Sequence, residues 1–212
     1  MKHVVNALLL VGMLWTTGAA QAQGQTRGKT MDFRGMTVST EPKQFVERLL
    51  YLQEEVVDEA QRAQRSSQSP EVKELAATLV KTHQGFDERL KQAMKDQKLK
   101  PGTFQAKTNE ERSTVAAEKS TEEKLKALSG DAFDQAFLAA QVNDHDRLLL
   151  SVMAGQQLFN GQPLGTVLAE LQPELLRLRE RAYQLLGQQA ATLGTGGAGT
   201  GSGDMQKDSG KK

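Results

Sequence analysis

Val72-Lys73-Glu74-Leu75-Ala76-Ala77-Thr78-Leu79-Val80-Lys81-Thr82-His83-Gln84-Gly85-Phe86-Asp87-Glu88-Arg89-Leu90-Lys91-Gln92-Ala93 is the stretch that decides the fold. Val72, Ala76, Leu79, His83, Phe86, Leu90 and Ala93 recur in unbroken steps of four and three. Those steps lay one ridge down an α-helix, with Lys and Glu on the opposite face. Ser69 before Pro70 supplies a cap and a first-turn proline, and Lys100-Pro101-Gly102 stops the run. A helix of this kind is not stable alone, so it needs partners of the same type.

The partners are legible on both sides. Upstream, Thr40 caps a run with Glu41 and Pro42 in its first turn, and Phe45, Leu49, Leu52, Val56, Ala60 and Ala63 form its ridge. Downstream, Asp131 caps a helix with the stripe Asp134, Leu138, Val142, His145, Leu149, Val152 and Gln156, ended by Asn160-Gly161. A last element holds Leu164, Val167, Leu168 and Leu171, restarts at Pro173 and continues through Leu175, Leu178, Ala182 and Leu185. Between the second and third long helices, Thr108 and Glu111 make a capping box for a short helix over about 109–119, and a second runs from Glu122 to Leu128. The fold expected is all-α: a ferritin-like four-helix bundle over 40–188, with short extra helices in the 103–130 and 163–172 connections. A coiled-coil oligomer is the structural alternative, but the helices are short and well punctuated.

The ends read differently. Met1-Lys2-His3, an apolar run from Val4 to Trp15, and Ala20-Gln21-Ala22 form a secretory signal over 1–22, cleaved between Ala22 and Gln23. That run falls short of the ~20 residues a membrane span needs. Residues 23–39, with Gly24, Gly28 and Gly35, are expected to be a disordered leader. Residues 189–212 are expected to be a disordered Gly-rich tail.

Composition narrows the function. The 212 residues carry 27 Lys+Arg against 26 Asp+Glu, no Cys and 5% aromatics. Loss of Lys2 with the signal leaves a formally neutral chain, without the basic excess that nucleic acid or anionic membrane requires. The lack of cysteine removes disulfides, thiolate metal sites and cysteine nucleophiles, and it suits an exported, periplasmic or extracellular chain. Ser129 and Thr166 have no adjacent base, and the Gly tract lacks the lysine and strand context of a phosphate loop. Charge runs such as Glu110-Glu111-Arg112 and Glu118-Lys119 read as solvated helix faces.

His83 and His145 interrupt two apolar stripes, with Asp87 one turn after the first and Asp144 and Asp146 flanking the second. Imidazoles with carboxylates in bundle cores hold iron, manganese or zinc. The di-metal recipe needs Glu three residues before each His, but Val80 and Val142 stand there, which excludes it. What is left is a mononuclear site from His83, His145, a first-helix carboxylate such as Glu55, and Asp134. Against it stands the plainer reading of two buried polar residues that fix helix register.

Three segments carry a family resemblance: Leu79-Val80-Lys81-Thr82-His83, Ala127-Leu128-Ser129-Gly130-Asp131-Ala132-Phe133-Asp134-Gln135-Ala136-Phe137-Leu138, and Val142-Asn143-Asp144-His145. They resemble the exported bacterial domain-of-unknown-function family 4142 across roughly 40–188. The resemblance implies a ferritin-like bundle outside the cytoplasm, with His83, Asp134 and His145 as recurrent polar interior positions, and no settled activity. This chain has Thr82 where the family has Asp, and Leu178 where it has a third His. The function expected is a non-enzymatic binding or envelope-stress module without cofactor, acting on an envelope protein or small ligand. The alternative is a degenerate metal-binding bundle using His83 and His145 with a divalent metal, and a weaker third is a bundle that opens to hold unfolded protein or lipid.

Overall fold

The computed structural model describes residues 25–27 and 29–195, and the expected signal over 1–22 lies outside them. The elements are β1 Gln25–Arg27, β2 Thr30–Phe33, β3 Met36–Ser39, α1 Pro42–Ser66, α2 Pro70–Asp96, α3 Asn109–Ala127, α4 Gly130–Leu158 and α5 Pro163–Thr195. An all-α bundle is the result, with a small sheet attached.

Four long helices make the bundle. α1 packs on α2 and α4, and α5 packs on α4 and α2, so α2 and α4 face each other across the diagonal. Phe45 near the start of α1 meets Gly155 near the end of α4, while Glu59 further along α1 bonds Gln141. These two helices are therefore antiparallel. Short linkers also make α1 antiparallel to α2, so α2 and α4 run the same way. The connection between them must then climb the length of the bundle, and α3, with 19 residues, covers about 28 Å at 1.5 Å per residue. At Gly155 an added Cβ would lie 2.5 Å from both Phe45 Cζ and Leu168 Cδ1, so glycine is what lets α1 and α5 approach α4 there.

The caps explain the boundaries. Ser69 Oγ accepts from Val72 N at 3.3 Å, and Thr108 and Glu111 form the full capping box. Two expected caps shift: Glu41, not Thr40, is the residue before α1, and Ser129, not Asp131, precedes α4.

Several expectations are corrected. The expected disordered leader over 23–39 is ordered wherever it is described, over 25–27 and 29–39: β1, β2 and β3 form an antiparallel sheet in that order. Phe33 pairs with Met36 and Met31 with Val38, and all four side chains are buried against the bundle. The turn between them is Arg34-Gly35, both at positive φ, 53° and 84°, as a two-residue hairpin twist demands. Apolar residues at 31, 33, 36 and 38 alternate with polar ones, a period of two that a helical reading passes over.

The two short helices expected in 103–130 are one continuous α3, with Ser120 and Thr121 carrying the helix between them. No separate helix occupies 163–172, because α5 runs straight through Pro173. Pro173 lacks the N–H that would reach the Ala169 carbonyl. Gln156 braces that stretch, its Nε2 donating to Leu168 O at 3.2 Å and Gln172 Oε1 at 2.8 Å. Helix α5 also continues to Thr195, so the first residues of the expected 189–212 tail are helical, and 196–212 lie outside the described residues. Among the described residues no helix is long and apolar enough to cross a membrane.

Candidate functional site

A polar seam crosses the bundle core from α2 through α4 to α1 and α3. It starts at His83 and His145, each 0% exposed, whose Nε2 atoms lie 3.3 Å apart with rings nearly perpendicular. His145 Nδ1 lies 2.7 Å from the Gln141 carbonyl. A carbonyl only accepts, so His145 carries its proton on Nδ1 and presents a bare Nε2. Two bare nitrogens at 3.3 Å would repel, so His83 donates its Nε2–H and keeps a lone pair at Nδ1, which has no partner. Burial pushes both imidazoles down, His83 well below its ordinary value and His145 to about 4, so the pair is neutral at pH 7.

The structure brings His83 and His145 together but adds neither Glu55 nor Asp134 to them. Among the described residues, no Asp or Glu oxygen lies close enough to both imidazoles to complete a three-ligand group. Asp134 sits three turns before His145 on α4, about 16 Å along the axis, and is buried with Oδ1 unpartnered. Glu55 is half-buried on α1, where burial and the charges of Asp58, Glu122 and Glu54 raise its pKa while a hydrogen bond from Tyr51 lowers it.

The seam's carboxylates gather on the other side of α4. Glu59 of α1, Glu118 of α3 and Asp144 of α4 each offer an oxygen, and all three lie within 4.8 Å of one another. Gln141 Nε2 donates to Glu59 Oε2 at 2.7 Å. Arg147 forms an ion pair with Glu118 and stands 4.0 Å from Asp144. Burial raises Glu59 to about 7, with Glu55 adding to it while the hydrogen bonds of Gln141 and Asp144 and the charge of Arg147 pull it down; burial and then Glu59 raise Asp144 well above its ordinary range. Glu118 is 3% exposed, contrary to the expectation of a solvated face. Glu110 in the same helix also turns inward, bonding Thr37 N at 2.9 Å and Arg48 at 3.2 Å.

Sequence reasoning named Asp144 only as a flank of His145 and Glu118 only as part of a solvated face; it missed Glu59 and Gln141. A signal for three of the four exists. Leu52, Val56, Glu59 and Ala63 keep helical spacing, and Phe137, Gln141, Asp144, Leu148 and Ser151 make a second inward stripe on α4. Glu118 has no such signal, since α3 is polar nearly all round.

A separate groove of about 730 Å³ lies between α1 and α2 beside the 102–104 loop. Its lining includes Glu47, Glu54, Asp58, Asp87 and Glu88 against one basic residue, Lys91. Tyr51 stacks on Phe104 at 5.1 Å to give it an aromatic wall, and Gly102 N donates to Glu47 Oε1 at 2.7 Å to pin the loop. Asp87 is raised to about 6, first by burial and then by Glu54 and Glu88, while Lys91 pulls it down.

No curated protein and no solved structure matches this chain. The family model described as Domain of unknown function (DUF4142) matches residues 30–185, from β2 to the later turns of α5, and includes every residue of the seam and of the groove. The chain therefore belongs to the DUF4142 family.

Proposed function

We propose that the chain is an exported, non-enzymatic binding bundle whose ligand is a small organic cation held in the groove between α1 and α2. The observation that carries this reading is the composition of that groove, five carboxylates and an aromatic wall against a single lysine. In a chain of near-zero net charge, such concentration of one sign is a local feature, and it focuses the field on a cation entering between two low-dielectric helices. Tyr51 and Phe104 supply the apolar and π surface that a substituted amine uses beyond its charge. Export rests on the signal pattern over 1–22.

Titration calorimetry with spermidine tests it. One spermidine per chain is expected, with affinity falling at least tenfold in Glu54→Gln and again as salt is raised from 0.05 to 0.5 M. Affinity should climb as pH rises through about 6, where Asp87 ionises. No binding by the wild-type chain, or equal binding by Glu54→Gln, contradicts the reading. Export is tested by the mass of protein recovered from the producing cell's envelope fraction, expected to begin at Gln23.

A further inference from the structure

We propose that Glu59, Glu118 and Asp144 form a second, independent site, one that binds a hard divalent cation of the manganese or calcium class with the Gln141 amide oxygen as a further donor. Three features of the core point there together.

The first is geometry. Oxygens bound to one ion at 2.0–2.6 Å are at most about 4–5 Å apart even on opposite sides of it. The three carboxylate oxygens here satisfy that limit, within 4.8 Å of one another, though they come from three different helices. The second is charge. Three buried carboxylates face one guanidinium, that of Arg147. A divalent ion supplies the two positive charges that the ionised cluster lacks. In a low-dielectric core such an imbalance is costly unless something neutralises it.

The third is an orphan. Gln141 is 0% exposed, its Nε2 donates into the cluster at Glu59, and its Oε1 has no partner. A buried amide oxygen with nothing to accept from is the kind of atom that an ion or an ordered water explains. Rotation about the last side-chain bond carries that oxygen to the place where the NH₂ now meets Glu59. The donors would then all be oxygen, the set that selects Mn²⁺, Mg²⁺ or Ca²⁺ over zinc or copper. The histidine pair gathers no carboxylate around it among the described residues: the Nε2 atoms are joined by the Nε2–H···Nε2 bond, His145 Nδ1 donates to the Gln141 carbonyl, and His83 Nδ1 alone is left without a partner.

This site stands apart from the groove, and neither depends on the other. The test is Mn²⁺ titration of the metal-stripped full chain, followed by calorimetry and by electron paramagnetic resonance. One Mn²⁺ per chain is expected, with affinity at least tenfold lower in Glu59→Gln and in Glu118→Gln and within twofold of wild type in His83→Leu. Absence of Mn²⁺ and Ca²⁺ binding up to millimolar concentration, or unchanged affinity in both Gln variants, overturns the proposal. The wild-type chain provides a readout free of folding defects: the bound Mn²⁺ should show no ¹⁴N modulation in its spin echo. Strong nitrogen coupling would put the ion on His83 and His145 and overturn the site.

Discussion

Asp144 and His145 are neighbours on α4, yet they belong to two unlike regions. His145 looks across the bundle diagonal to His83, and Asp144 looks toward α1 and α3. On the first side the polar atoms meet as a neutral pair, each imidazole held below its ordinary basicity by burial. On the second side three carboxylates crowd around one arginine, two of them held below their ordinary acidity for the same reason. Burial suppresses charge in both places. It succeeds fully with imidazole, which is neutral by losing a proton already weakly held. It leaves a residue of charge among carboxylates, and that residue needs a counterion.

The largest effect should come from removing the one counterion present. Arg147→Met leaves Glu118 and Asp144 buried without it and should cost about 3–5 kcal/mol, read by urea unfolding in chelator. A loss under 1 kcal/mol would mean that the cluster is not charge-stressed.

Next in size are two pH dependences of opposite sign. Glu59 is raised from 4.5 to about 7, so across that window the folded chain binds more protons than the unfolded one. The stability this group contributes is therefore present below 4.5 and lost as pH rises through about 7. His145 is lowered from 6.5 to about 4, so the unfolded chain binds more protons in that window. Its contribution is full above 6.5 and lost as pH falls toward 4. Unfolding free energies measured from pH 4 to 8 should show Glu59→Gln reducing the first slope only, the rest of it being carried by Asp144 and Asp87, and His83→Leu/His145→Leu reducing the second only. Both slopes vanishing in one variant would make the seam a single titrating unit and erase the contrast.

Smaller effects sharpen the boundary between the regions. Thr108→Ala opens the capping box of α3 and should cost about 1 kcal/mol. Because Glu118 rides on α3 and no histidine does, Mn²⁺ affinity should fall while the imidazole ¹⁵N shifts stay put. Smallest of all, His83→Leu/His145→Leu should change stability at pH 7 by less than about 1 kcal/mol, since it removes both partners of a buried hydrogen bond together. A loss of several kcal/mol would mean that the pair fixes the diagonal contact of α2 and α4.

How legible this was depended on periodicity. The ridge from Val72 to Ala93 and its counterparts in α1, α4 and α5 could be read because each follows a helical step, and the histidines stood out by breaking it. The hairpin was equally regular, Met31-Asp32-Phe33 against Met36-Thr37-Val38 around Arg34-Gly35, but with a period of two inside a Gly-bearing stretch. The site was harder. Spacing tells which face a residue shares with its own helix, so Glu59, Gln141 and Asp144 were within reach. Convergence of three helices is a property of packing, and Glu118 is buried because α3 must return along the bundle across α1 and α4. Nothing in residues 109–127 announces that.

The most direct test of the contrast is where a cation goes. Anomalous scattering from a crystal of the full chain grown with Mn²⁺ should show one peak among Glu59, Glu118 and Asp144 and none between the imidazoles. A peak between His83 and His145, or density for Mn²⁺ at neither place under saturating conditions, would contradict the account.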